Sequence, residues 1–271
     1  MVTQNDVVSA PGYLSLKRRA GTLLGFDMAQ YSDLFLGRRF DVRLRATSLK
    51  DYESYALFLA SSKEEQAALL KELTIHTTHF WRDAQAWEAF ITTVIPAILA
   101  RKAKTNDKTI RVWCAGCSTG EEPVTVAICF HEALGPDLQG YRLTILGTDI
   151  DPATITRAKE AQYEEFQFRE IPERLRKAYF IGNHPVPEIM RHLTYQVGDI
   201  FSPVKPKNMD IIICRNTVIY FEAVAKNKLY VEFYDALPPG GLFMMGKTET
   251  LLGPAREKFT VLDMRERVFV K

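Results

Sequence analysis

A chain of 271 residues can bury a substantial core in one or two domains. With 46% hydrophobic and 25% charged residues it has an ordinary globular balance, which excludes disordered and fibrous classes. The net charge of +2 is too small to point to nucleic acid or to an acidic membrane surface. Locally the balance shifts. Between Lys17 and Lys50 the basic residues (Lys17, Arg18, Arg19, Arg38, Arg39, Arg43, Arg45, Lys50) outnumber Asp27, Asp33 and Asp41. That excess suits either a solvated helix surface or a face for an acidic partner. No apolar stretch reaches the roughly 18 residues that a membrane helix needs, and the first residues lack the basic start and apolar run of a secretory signal. Four cysteines in a chain this long form no disulfide framework. A cytoplasmic, monomeric protein with no direct membrane insertion and no nucleic-acid partner is expected.

The first domain, residues 1–100, reads as helical. Residues 52–59 and 64–73 carry Tyr55, Leu59, Leu69, Leu70 and Leu73 at helical spacing among charges, and a further helical stretch covers 84–99. The polar run 101–108 reads as a linker to a second domain, 109–271, in which strands alternate with helices. Residues 110–114 form a buried strand, 121–134 a helix with Pro123 in its first turn, and Gly135-Pro136 a break. Strand 143–147 ends at Thr148-Asp149, and helix 152–161 is begun by Asp151. Further strands are expected at 192–197, 209–214 and 242–245, with a helix over 223–237 stopped by Pro238-Pro239-Gly240-Gly241. The tail, 259–270, alternates enough for a closing pair of strands, and Phe166, Phe168, Tyr179 and Phe180 are expected to cover the sheet. The pattern is an α/β fold, a mostly parallel sheet covered on both faces, preceded by a small all-helical domain.

In such a sheet, ligands bind outside the carboxyl ends of the strands. In Trp113-Cys114-Ala115-Gly116-Cys117-Ser118-Thr119-Gly120 the glycines let the backbone pass close to a ligand before a helix begins. Asp149 closes the next strand, where a carboxylate can accept ribose hydroxyls. Gly198-Asp199-Ile200 sets a short polar side chain beside an apolar one, which suits the edge and face of an adenine. The helix after the glycine turn opens with Glu121-Glu122. Carboxylates there repel a pyrophosphate but suit an amino group and a sulfonium, which points to S-adenosylmethionine rather than a dinucleotide. Cys114 and Cys117 also have the Cys-x-x-Cys form of a thiol–disulfide exchanger. The two glutamates argue against that use, because they would raise a thiol pKa. Cys129 and Cys214 lie on apolar segments and read as core. No second Cys/His pair accompanies the first, so no metal site is expected. His131, His184 and His192 show no ligand spacing, and His79 beside Phe80 reads as packing.

From about Leu49 onward, ordered blocks of the chain resemble the chemotaxis receptor methyltransferases, the CheR family. The blocks are Leu73-Thr74-Ile75-His76-Thr77-Thr78-His79-Phe80-Trp81-Arg82, then 111–127, then Gly147-Thr148-Asp149-Ile150-Asp151. After these come 210–222, with Cys214-Arg215-Asn216 and Ile219-Tyr220-Phe221, and finally Leu237-Pro238-Pro239-Gly240-Gly241 with Gly246-Lys247-Thr248-Glu249. The resemblance implies a Rossmann-like S-adenosylmethionine-dependent methyltransferase domain. It implies methyl transfer to glutamate side chains on the cytoplasmic helices of chemoreceptors, leaving S-adenosylhomocysteine. It also implies that His76, Thr78, Arg82, Gly116, Glu122, Asp149, Asp199, Ile200, Asn216 and Thr217 line the cofactor. Arg82 and Tyr220 then belong to the reacting centre, Arg82 orienting a carboxylate by a bidentate contact and Tyr220 bordering the methyl. His76 and Asp199 stand where relatives often have Asn, and Trp81 where Phe is common. The family often carries a small antiparallel insertion before the Asp199 strand that docks a receptor's tail peptide. The corresponding stretch here, 181–191, is short, so weak or no dependence on such a tether is expected.

A glutamate with a solution pKa near 4.3 is already ionised at neutral pH and needs no general base. The enzyme's task is then alignment of oxygen, methyl carbon and sulfur. Other readings of the same residues are methyl transfer to a different protein carboxylate, a non-catalytic module that senses the cofactor or its product, and a redox protein built on Cys114 and Cys117.

Overall fold

The structure is a computed structural model and describes residues 4–25, 27–74 and 77–271. The chain divides into two compact units, Met1–Ile75 with Tyr220–Lys226, and His76–Ile219 with Asn227–Lys271. The first unit holds α1 (Gln4–Val8), α2 (Tyr13–Leu24), α3 (Asp33–Thr47), α4 (Tyr52–Ser61) and α5 (Lys63–Leu73). Two of these helices start where the sequence supplies a cap: Asp51 accepts the Ser54 N–H at 2.8 Å and Ser62 the Glu65 N–H at 3.1 Å. Tyr13, Leu16, Phe40, Tyr55, Leu59 and Leu69 form a fully buried centre. Glu65 lies at its edge, gripped by both arms of Arg43 at 2.8 Å and by the Tyr55 hydroxyl at 2.7 Å. Lys17 pairs with Asp33 and Arg39 with Glu72, so part of the basic excess of this region is neutralised within the unit. The distant segment 220–226 belongs here through Phe221, edge-on to Tyr31 at 4.8 Å, and through the Tyr220 carbonyl, which accepts the Ser32 N–H at 3.0 Å.

The division corrects the expected boundary near residue 100. In the second unit, α6 (Ala84–Ala89), a π turn (Phe90–Val94) and α7 (Ile95–Thr105) carry Trp87, Phe90, Val94, Ile95 and Ile98 into the same core as Ile110, Val112 and Ile128. Pro96 accounts for the wide turn: it has no N–H and its ring clashes with the carbonyl four residues back, so the ladder opens there. The polar run 101–108 is no linker either, because α7 continues to Thr105. Lys102 is 5% exposed and its ammonium meets Asp107 at 2.6 Å and Asp210 at 2.7 Å. The charges anchor a helix end.

β1 (Thr109–Ala115), α8 (Glu121–Leu134), β2 (Arg142–Asp149), α9 (Pro152–Glu160) and α10 (Glu173–Tyr179) follow. A hairpin of β3 (Phe180–Ile181) and β4 (His184–Pro185), α11 (Pro187–Met190), β5 (Leu193–Val197) and β6 (Ile211–Cys214) come next. The chain ends with α12 (Ala223–Ala236), β7 (Leu242–Met245), α13 (Pro254–Lys258), β8 (Thr260–Asp263) and β9 (Val268–Val270). The seven-stranded sheet runs β5-β2-β1-β6-β7-β9-β8. The first five of these are parallel, while β9 lies antiparallel to β7 and β8. Because the chain steps outward from β1 to β2 and β5, then returns to β6 on the other side of β1, a crevice opens at the carboxyl ends of β1 and β6.

Coverage of the two faces is unequal, contrary to expectation. Leu143, Ile145 and Tyr195 are buried on the side of α8 and α9, but Thr144, Thr194 and Gln196 on the opposite face are exposed. The crossover from β5 to β6, residues 198–210, contains no helix to cover them. Phe168 and Phe180 are buried as expected, whereas Phe166 is 61% exposed. No helix among the described residues is long and apolar enough to cross a membrane.

Candidate functional site

Several strand ends converge on the crevice of the second unit. After β1, the N–H groups of Gly116 and Cys117 both donate to the Thr148 carbonyl of β2, at 2.8 and 2.9 Å. Gly116 has φ +81°, and a Cβ there would lie 2.5 Å from Thr217 Oγ1. The absent side chain thus brings the β1 turn into contact with the turn after β6. Gly116→Ala is expected to weaken binding of S-adenosylhomocysteine, the product that the resemblance implies, at least tenfold by calorimetry, since both the left-handed backbone and the contact resist it.

Asp149 ends β2. Its Oδ2 accepts the Ser118 N–H at 2.9 Å and its Oδ1 the Asp151 N–H at 3.1 Å. Its carbonyl accepts the Gly198 N–H at 2.9 Å, which draws the segment of Asp199 and Ile200 alongside. Asp199 Oδ1 accepts the Phe201 N–H at 2.8 Å, and Ile200 is buried.

The two glutamates at the start of α8 have different environments. Glu121 is wholly buried, its oxygens taking the Thr119 hydroxyl at 2.8 and 2.9 Å, the Gln167 amide and the Thr78 hydroxyl. It ties the Thr78 segment to α8. Glu122 leaves 15% of its side chain open to solvent yet lies deep in the protein. Burial pushes its carboxyl up to about 7; Arg215 pulls the other way and the Glu249 charge adds to the rise.

Arg215, to which the sequence by itself assigns no role, joins these parts. Its side chain is 2% exposed and its Nη2 donates to Asp83 Oδ2 at 2.7 Å and to the Arg82 carbonyl at 3.1 Å. Its Nη1 lies 3.5 Å from Glu122 Oε2, and its guanidinium stacks over Trp87 at 4.9 Å. The signal for it was present: a charged residue directly follows the apolar run of β6. Arg82 itself is half-buried and donates to the Thr77 carbonyl at 2.6 Å. Positive φ values cluster around these groups, at Trp81 (62°), Asp83 (62°), Ser118 (49°) and Asn216 (59°). Backbone strain of this kind persists only where the surroundings enforce it, and it gathers at functional sites.

Tyr220 packs within the first unit, 4.9 Å from Phe35. His76 lies outside the described residues. His79 is not simple packing: its Nε2 meets Glu170 at 2.7 Å and its Nδ1 meets Arg169 at 2.6 Å. All four cysteines are buried, and burial drives the thiols of Cys114 and Cys117 well above their ordinary value. A thiol–disulfide exchanger needs the reverse. A thiol reagent such as Ellman's is expected to label none of the four in the folded protein at a rate near that of the unfolded chain. Fast labelling of Cys117 would revive the redox reading.

The sequence profile described as CheR methyltransferase, SAM binding domain, matches residues 76–268, and that described as CheR methyltransferase, all-alpha domain, matches 15–74. The chain belongs to the CheR methyltransferase family. A chemotaxis protein methyltransferase of Listeria innocua is 32% identical over 251 residues, covering 90% of this chain and 91% of that protein. One of Salmonella typhimurium is 29% identical over 252 residues, covering 89% and 82%. A 104.1 kDa protein of Rhodobacter capsulatus is 30% identical over 236 residues, which are 86% of this chain but 24% of that protein. The second unit of this CheR methyltransferase is therefore its S-adenosylmethionine-binding domain. The donor set fits that cofactor: a glycine cradle beside Thr217, a carboxylate at Glu122 for an amino group, and Asp149 at a strand end for a ribose. Among the described residues no group of three His, Cys, Asp or Glu side chains is placed to hold a metal ion.

Proposed function

We propose that this S-adenosylmethionine-dependent methyltransferase esterifies glutamate side chains on the cytoplasmic helices of chemoreceptors. The observation that carries the reading is the match to both family domains over nearly the full length of relatives named chemotaxis protein methyltransferase. Bound S-adenosylmethionine supplies an electrophilic methyl. Glu122 holds the cofactor's amino group, Asp149 its ribose, Asp199 and Ile200 the adenine, and Gly116, Thr78, Asn216 and Thr217 complete the wall. Arg82 orients a carboxylate, and Tyr220 is offered on the strength of the resemblance as the residue beside the nucleophile. A glutamate arrives ionised, so the residues need only align it and exclude water.

The test is calorimetric titration with S-adenosylhomocysteine, then transfer of tritiated methyl to chemoreceptors with release of base-labile methanol. Binding with base-labile label is expected. Binding without it on any receptor would turn the reading toward another carboxylate or a sensor module. The hairpin at the expected docking position has only two residues per strand. Deleting a receptor's C-terminal tail is therefore expected to change the methylation rate less than about twofold, and a tenfold fall would refute this.

A further inference from the structure

The block Gly246-Lys247-Thr248-Glu249 follows β7, and its glutamate is buried beside the turn after β6. Glu249 is 4% exposed, and its Oε2 accepts the Gly246 N–H at 2.8 Å while its own N–H donates to the Gly246 carbonyl at 3.0 Å. The N–H groups of Thr217 and Val218 also face the carboxylate, without reaching full hydrogen-bond geometry at Oε1. A Cβ on Gly246 would stand 2.9 Å from Asn216 N, 3.0 Å from Glu249 Oε2 and 3.3 Å from Asn216 Nδ2. The carboxylate, the glycine and both nitrogens of Asn216 thus crowd one point.

Asn216 is held at φ +59°, which an L-residue adopts singly and only with local support. A carboxylate facing consecutive backbone N–H groups supplies such support, as anions do in the concave turns that bind them. An apolar side chain would fill the same volume without burying an acceptor, so packing alone does not call for glutamate. We propose that Glu249 is a positioning residue that fixes the left-handed turn after β6 and so aims Asn216 and Thr217 at the cofactor. The inference rests on the assignment of Asn216 to the cofactor made above.

A four-protein cycle tests it, with S-adenosylhomocysteine affinity as readout and thermal melts as a check on folding. Asn216→Gly removes the amide while leaving the left-handed backbone easy. Glu249→Ala removes the acceptor, with Glu249→Leu in its place if Ala does not fold. Each single change is expected to weaken binding about tenfold, and the double change no more than about twofold beyond Asn216→Gly. Glu249→Gln, which keeps an acceptor for Gly246, should stay within about threefold of the original. Additive losses in the double variant, or full affinity in Glu249→Ala, would overturn the inference. Unchanged affinity in Asn216→Gly would instead remove its premise, the placement of Asn216.

Discussion

Replacing Glu122 by Gln is expected to raise the dissociation constant for S-adenosylhomocysteine on the order of 100-fold at pH 8, because truncating one partner of a desolvated charge pair costs about 2–5 kcal/mol. The pH dependence should change with it. In the ligand-free protein the Glu122 carboxyl is raised from its ordinary 4.5 to about 7. A ligand ammonium beside it favours the ionised form, so affinity should be level above pH 7 and fall toward tenfold per pH unit below it. Glu122→Gln should show no such slope.

The stability of the ligand-free protein moves in the opposite sense. The folded state holds this proton more tightly than the unfolded chain, so the contribution is full below about 4.5 and is lost as pH rises through about 7. At about 1.4 kcal/mol per pH unit, the shift corresponds to a loss on the order of 3 kcal/mol. Glu122→Gln should therefore melt higher than the original protein at pH 8 while binding far more weakly. Thermal melts and titrations on the same samples check both halves. A variant that binds normally would remove Glu122 from the cofactor site.

Arg215→Met should lower the melting temperature by about 10 °C, since breaking a buried ion pair costs about 3–5 kcal/mol and domains of this size lose about 2–4 °C per kcal/mol. The loss has several parts. Asp83 loses its 2.7 Å partner, the Arg82 carbonyl loses a donor, Trp87 loses the stacked guanidinium, and Glu122 loses the nearby cation that opposes its rise. Binding of S-adenosylhomocysteine should weaken at least tenfold as well, because the Arg82 segment is no longer tied to the end of β6. Arg215→Lys keeps the charge but not the planar fork that reaches three groups, so it should recover less than half of either loss. If Arg215→Lys matches the original protein in melting and affinity, only the charge matters and the clamp is wrong.

Periodicity and turn chemistry sufficed for the sheet strands and the longer helices of the α/β half, but passed over the short α10, α11 and α13 and the β3–β4 hairpin. The helix over 121–134 and the strand over 242–245 agree with the structure at both ends, and Asp151 caps its helix by accepting the Ala153 N–H at 2.9 Å. Such features depend on contacts a few residues apart. The boundary near 100 was misplaced for the converse reason. Nothing local distinguishes a helix that packs on its own neighbours from one whose Trp87, Phe90 and Ile98 pack beneath a sheet formed later in the chain. Phe166 and Phe168 differ in burial although they are near neighbours of one type, because facing is set by the turn that carries them.

The candidate site divides along the same line. From the sequence alone came the cofactor's chemistry, since glycines at one strand end, carboxylates at the next helix and an aspartate closing the following strand are local signatures of what can bind. Only the tertiary structure separated Glu121, sealed among Thr119, Thr78 and Gln167, from Glu122, open to the crevice beside Arg215. Only it brought Arg215 to Asp83 and Glu122, and Glu249 to the turn after β6. Their roles lie in contacts with residues far away along the chain, and a buried charge acquires its meaning from the groups that surround it.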